Sequence, residues 1–314
     1  MSNTRLASAD VDDAVWTDLL DPDPAALAAA LPCALHQAAL ERLLAAPQHD
    51  DDPRPRLESH GDYLFGVLVV AVTCDGDHHV VHQEMGLVAT RDRVVTVRKT
   101  PPGDEPYQCE DIRGAALRAK ASPGMCVYRL FDDIAERYLT LVDTFDNDID
   151  DLEDNVEAWE PTAIRSTISR IRHDILHVRR VLTATRDAAR AVLDDRVELD
   201  GEPGLFPRDV EIHFADAYDK LLRATDGLDL SRDLLAGVRD YHQAQVANNQ
   251  NEVMKRLTVI ASMLLLPAFI VGLYGMNLKG IPEFDWAHGY LWAWALIVAS
   301  SVGQLVYFRR KQWL

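Results

Sequence analysis

Leu257–Tyr274, LTVIASMLLLPAFIVGLY, and Tyr290–Phe308, YLWAWALIVASSVGQLVYF, are eighteen and nineteen residues long, and neither contains a charge. At about 1.5 Å per residue each helix would reach roughly 27–28 Å, close to the ~30 Å of a bilayer's hydrocarbon core. A pair of core helices in a soluble protein usually keeps a polar stripe, and neither segment has one. Pro267 would damage the interior of a soluble helix but is tolerated within a membrane. Aromatic residues collect where the interfaces should fall: Tyr274, Trp286, Tyr290 and Trp292 at one end, Tyr307, Phe308 and Trp313 at the other. Two transmembrane helices are therefore expected. Lys255 and Arg256 precede the first, and Arg309, Arg310 and Lys311 follow the second, so the positive-inside rule places both termini in the cytoplasm. The outward connection, residues 275–289, carries Lys279, Glu283 and Asp285.

The rest of the chain has the opposite character. The 314 residues hold 50 acids against 32 Lys and Arg, a formal charge of −18. Residues 254–314 contain six bases and two acids, a tail of +4, which leaves −22 on residues 1–253. A 48% hydrophobic content excludes a wholly disordered chain, and the acid excess argues against a nucleic-acid binder, which needs a basic face. Cys33, Cys74, Cys109 and Cys126 are widely spaced with no C-x-x-C, so they read as buried thiols in a reducing compartment. The opening MSNTRLASAD lacks an apolar h-region, so no cleavable signal peptide is expected.

Residues 1–122 read as a cytoplasmic α/β domain. Tyr63–Thr73, Met85–Ala89 and Arg93–Arg98 are β-branched and aromatic runs punctuated by Asp75-Gly76 and Pro101-Pro102-Gly103. AALAAALPCALHQAALERLLAA reads as helix broken at Pro32, and Asp50–Pro55 as a loop. Residues 123–253 change to long helices, a cytoplasmic stalk. Ile164, Ile168, Ile171, Ile175, Val178 and Leu182 recur at the 4-3 spacing of a coiled-coil seam, in a helix that Glu160-Pro161 should start. After a turn at Gly201–Pro207 only Gly227, Gly237 and Pro267 interrupt the helical pattern from Arg208 to Tyr274, a rod of roughly 100 Å. Residues 254–314 form the transmembrane hairpin, with helices at about 257–274 and 290–308.

Charge segregates within the stalk. Asp143–Glu160 holds nine acids and no base, whereas Arg165–Arg196 holds eight arginines. Two mutually attracting, solvated arms account for both runs. A divalent-cation surface is the sharper alternative, since carboxylates suit Mg2+, although the acidic run contains no EF-hand pattern.

Other chemistry is sparse. His173-Asp174-Ile175-Leu176-His177 has the i, i+4 histidines of a zinc-binding helix, but Arg170, Arg172, Arg179 and Arg180 surround it, and positive neighbours weigh against a bound cation. His78, His79 and His82 read as surface residues of a hairpin. The chain contains no phosphate-binding P-loop, nucleophile elbow or dinucleotide glycine pattern, so neither an enzyme nor an organic cofactor is expected. Tyr274-Gly275-Met276-Asn277 stands at the outer end of the first membrane helix. Glycine exposes its carbonyl, and Asn277 adds a neutral amide oxygen. Neutral dipoles at a pore mouth can hold a hydrated cation without stripping water that Mg2+ gives up reluctantly.

Asn251-Glu252-Val253-Met254-Lys255-Arg256-Leu257-Thr258, then Pro267, Tyr274-Gly275-Met276-Asn277 and Ile281-Pro282-Glu283 with Trp286, Gly289 and Tyr290 resemble the CorA family of divalent-cation channels. Trp16-Thr17-Asp18-Leu19, Asp62-Tyr63-Leu64-Phe65 and Arg93-Val94-Val95-Thr96-Val97 are similar to its cytoplasmic domain. The resemblance implies a funnel-shaped homopentamer in the cell membrane that takes up Mg2+, with Co2+ or Ni2+, and binds Mg2+ for regulation as well. Two helices cannot enclose a pore alone, so several chains are required in any case.

By the same resemblance Gly275, Met276 and Asn277 form the selectivity filter. Asn251, Met254, Leu257, Leu265, Ala268 and Gly272 line the path, Asp240 lies near its cytoplasmic end, and Glu283 and Asp285 belong to the outer loop. The family commonly has a hydroxyl where Ala268 stands and Met where Leu265 stands, so two pore contacts differ here. Asp216 resembles the stalk-side acid of an intersubunit regulatory Mg2+ site, with Asp219 beside it. A zinc transporter of the ZntB type shares this fold and signature, and a non-conducting membrane-anchored sensor is the reading from a different class. Glu283 and Trp286 favour the Mg2+ branch.

Overall fold

The computed structural model describes residues 15–46, 54–73, 80–101, 103, 105–201, 204–276 and 286–313. The chain divides into two compact units, Met1–Val238 and Arg239–Leu314.

In the first unit β1 (Trp16–Leu20), β2 (Arg56–Ser59), β3 (Leu64–Thr73), β4 (Val80–Ala89) and β5 (Val94–Arg98) form one sheet ordered β1-β5-β4-β3-β2. Strands β2 to β5 pair antiparallel in sequence order, whereas β1 joins β5 in parallel, Trp16 opposite Val94. Successive side chains alternate between faces. Phe65, Val67, Val95 and Val97 pack with Leu27 of α1 (Pro24–Ala30) and with Ala39 and Leu43 of α2 (Gln37–Leu44). Leu64, Leu68, Leu87 and Val94 join the larger core on the other face, formed with α4 (Pro123–Asp154), α5 (Pro161–Leu193) and the first part of α6 (Arg208–Tyr274). With both faces covered, the strands can be almost continuously apolar. All five residues of β5 are buried. A short α3 (Glu110–Arg118) precedes α4.

The helical layer is built on buried seams at coiled-coil spacing. The expected seam of α5 is buried from Ile164 through Leu182 and continues through Thr185, Ala189 and Val192. α6 carries an equally regular one: Val210, Phe214, Ala217, Leu221, Ala224, Leu228, Ser231, Leu235 and Val238 recur at 4-3 spacing, all buried. Ser231 is the polar member, and its hydroxyl donates 2.6 Å to Asp146 Oδ1 on α4. α5 starts at Pro161, directly after Glu160, as its sequence predicts, although the Glu160 side chain makes no capping hydrogen bond. Arg170 reaches Asp148 at 3.3 Å, so the basic and acidic arms do meet. Arg179 instead pairs with Asp229 of α6 at 2.9 Å.

In the second unit α6 runs to Tyr274 without interruption at Pro267, and α7 spans Gly289–Arg310. Both contain stretches long and apolar enough to cross a membrane, and 11% and 6% of those stretches are buried, so neither is the core of a soluble domain. Val259 and Ile270 of α6 and Phe308 of α7 are the buried apolar side chains among the described residues of this unit. Gln304 of α7 donates 3.1 Å to the carbonyl of Ser262 on α6, fixing which faces meet. Phe308 stacks on Trp313 at 5.8 Å, closing the end of α7.

Candidate functional site

α6 turns through about 100° per residue. On that wheel Met254, Leu265, Ala268 and Gly272 share an arc of about 60°, with Leu257 and Asn251 just outside its two edges. Val259 and Ile270, the buried apolar side chains of this part of α6, lie roughly 150° round the helix. The stripe assigned to the conduction path is therefore turned away from that buried side. It is also bare: Met254 is 56% exposed, Leu257 59% and Leu265 74%, while Ala268 and Gly272 are exposed too. A helix facing lipid or copies of itself on that side explains such exposure; a soluble protomer does not.

At the N-terminal end of this stripe Asn251 and Met254 line a cleft of about 530 Å³ with Asn248, Glu252, Lys255, Thr258 and Trp313. Asn251 is the polar member of the assigned path, and the Met254 thioether follows one turn later. Asp240 is exposed and accepts hydrogen bonds from Arg239 at 2.9 and 3.1 Å, so its charge is partly met by its neighbour. At the opposite end Gly275 N donates 2.8 Å to the Val271 carbonyl and Met276 N donates 3.3 Å to that of Leu273. Gly275 and Met276 thus continue the hydrogen-bonded end of α6. A Cβ on Gly275 would sit 3.1 Å from the Val271 oxygen, so glycine lets the chain leave the helix tightly there. Asn277, Glu283 and Asp285 lie outside the described residues.

Asp216 and Asp219 are exposed on α6. Nearby, Lys220 reaches Asp132 at 2.7 Å and Glu136 at 2.5 Å, which ties α6 to α4. Partial burial would lower the lysine's pKa, but the hydrogen bonds and charges of the two carboxylates outweigh it and raise the pKa. Among the described residues no three His, Cys, Asp or Glu side chains converge on a ready metal centre.

One expected surface residue is placed differently. His82, on β4, is half-buried and touches His177 of α5, their Nδ1 atoms 3.0 Å apart. Ninety-five residues separate them in sequence, and only the tertiary fold brings them together.

Comparison with known proteins agrees with this arrangement. A cobalt/magnesium transport protein CorA from Thermotoga maritima is 29% identical over 284 residues, covering 89% of this chain and 77% of the relative. The structure of the CorA magnesium transporter from Methanocaldococcus jannaschii superposes with a TM-score of 0.74 at 19% identity, over 95% of this chain and 91% of that one. The full-length structure of CmaX gives 0.70 at 24% identity, over 96% and 89%. These structures share the α/β domain, the long helix and the two C-terminal apolar helices, and at such identities they establish fold. The family described as CorA-like Mg2+ transporter protein matches residues 11–310. With that match over nearly its whole length, and with two membrane-length helices of which the first runs up to the Gly275-Met276-Asn277 sequence, the chain belongs to the CorA family of divalent-cation transporters, which are not enzymes.

Proposed function

We propose that the chain is one subunit of a homo-oligomeric channel, a pentamer by family resemblance, that takes up Mg2+ together with Co2+ or Ni2+. The observation that carries this reading is the exposed stripe on α6. Met254, Leu265, Ala268 and Gly272 form one exposed face set apart from the buried Val259 and Ile270, and several copies of such a face can enclose a path that one hairpin cannot. Met254 and Leu257 supply an apolar constriction that closes by dewetting. Gly275 and Asn277 supply the outer filter for a hydrated ion.

Three cytoplasm-to-membrane parts, 1–122, 123–253 and 254–314, divide the labour, with both termini cytoplasmic and Glu283 and Asp285 in the outer loop. Transport needs no organic cofactor and no pump. A double charge falling through 100 mV releases about 4.6 kcal/mol, enough to concentrate the ion inward by over a thousandfold. Cytosolic Mg2+ bridging Asp216 and Asp219 to acids of a neighbouring subunit holds the path closed. When it leaves, like charges repel and α6, which carries both Asp216 and Met254, shifts.

The test is uptake of Mg2+, Co2+ and Zn2+ in a host lacking its own Mg2+ uptake. Wild type should restore Mg2+ uptake, and Asn277→Ala should abolish it at equal membrane abundance. Flux of Zn2+ alone, coupled to pH, would overturn the reading in favour of a ZntB-type transporter. An Asn277→Ala chain with every phenotype intact would point to a non-conducting sensor.

A further inference from the structure

His177 Nδ1 lies 3.0 Å from His82 Nδ1, the rings edge to face with centroids 4.6 Å apart. His173 stands one helical turn before His177 and stacks on it, centroids 6.2 Å apart at 21°. Two imidazole nitrogens at this separation share either a proton or a cation. Bonds of about 2.0–2.1 Å from each nitrogen to one metal, at roughly 90–110°, set the nitrogens about 2.9–3.4 Å apart. The observed spacing falls in that window. The i, i+4 spacing also puts His173 and His177 on one helix face, where two imidazoles can bind one ion.

We propose that His82 and His177, with His173 one turn away, bind a late first-row divalent cation of the Ni2+, Co2+ or Zn2+ class and exclude Mg2+. Imidazole suits those ions, whereas Mg2+ demands an octahedron of oxygens and keeps its water. The arginines that weigh against the helix motif in isolation are largely answered by tertiary structure. Arg170 reaches Asp148 at 3.3 Å and Asp174 at 3.6 Å, and Arg179 reaches Asp229 at 2.9 Å. Two of the four positive charges are thus directed at carboxylates, and Arg172 and Arg180 are exposed to solvent. Water fills the remaining coordination positions, since among the described residues no group of three His, Cys, Asp or Glu side chains is arranged to hold a metal ion. An ion held there ties β4 of the sheet to α5 of the bundle. It binds whether or not the chain conducts Mg2+.

The test is calorimetric titration of untagged, chelator-stripped full-length protein in detergent with Ni2+, in the presence of excess Mg2+. One Ni2+ per chain should bind undisturbed by Mg2+, and His82→Gln or His177→Gln should weaken it by about tenfold or more. X-ray absorption on the wild-type complex should show at least two imidazole nitrogens around nickel, a readout that no variant's folding can obscure. Displacement by Mg2+, unchanged binding in the His82→Gln/His177→Gln double variant, or an all-oxygen nickel shell would overturn the site. So would absence of Ni2+ binding, which would leave the pair as a shared-proton hydrogen bond.

Discussion

Asp18 on β1 is tied by hydrogen bonds to two residues of β5. It accepts from Thr96 Oγ1 at 2.7 Å and from Arg98 Nε at 3.0 and 3.1 Å, and Thr96 in turn accepts from Trp16 Nε1 at 3.0 Å. Both Asp18 and Arg98 side chains are 6% exposed. Removing the carboxylate would strand a buried guanidinium, which Glu110 at 2.7 Å only partly satisfies. Asp18→Asn should lower unfolding stability by about 3 kcal/mol, seen as a lower denaturant midpoint by fluorescence. The thiols make a pH-dependent prediction. Burial, with Arg129 partly opposing it, pushes Cys126 up from 9.0 to about 11. Burial first, then the charge of Asp18, pushes Cys109 up to about 12. Both fold as neutral thiols, while the unfolded chain ionises near pH 9. Their stabilisation is complete below that pH and is lost as pH rises through 11 and 12. The denaturant midpoint should fall between pH 9 and 11, and Cys126→Ala should flatten part of the fall.

The elements differ in how openly the sequence announces them. α6 was legible from Arg208 to Tyr274 because only Gly227, Gly237 and Pro267 interrupt the pattern, and a membrane-spanning stretch tolerates that proline. The seam of α5 was legible because isoleucines and valines repeat at an unbroken 4-3 spacing. β1, β2 and α3 were not legible. WTDLL and RLES are five- and four-residue edge strands without clear alternation, and their pairing is supplied by β5 and β3 from elsewhere in the chain. For the candidate site, the resemblance named Leu265, Ala268 and Gly272, but that they share one face set apart from the buried side of α6 needed the positions of Val259 and Ile270. The His82–His177 contact lay beyond any local pattern. Gly124, in the first turn of α4, tests the bundle's join to α6. A Cβ there would fall 2.1 Å from the Leu205 carbonyl oxygen, a backbone atom that cannot swing aside. Gly124→Ala should cost about 1–3 kcal/mol by displacing the turn before α6, measurable as a lower thermal midpoint.

At the scale of the molecule, the −18 separates into a basic membrane-flanking tail and an acidic first unit. If Mg2+ quiets that acidity between subunits, it should protect α6 of the assembled protein from protease. Asp216→Ala should weaken the protection, and equal cleavage with and without Mg2+ would count against regulation. The sheet order carries a separate consequence, for how the chain acquires its structure. β2, β3, β4 and β5 each pair with a sequence neighbour, so their ladder needs only short loops to close. β1 must wait for a partner almost eighty residues downstream, Trp16 for Val94. Pairings so far apart are slow to form, which makes β1 the late arrival of an otherwise local meander. The Asp18–Arg98 pair that secures it is then a latch closed after the rate-limiting step: breaking it speeds unfolding and leaves the folding rate nearly unchanged.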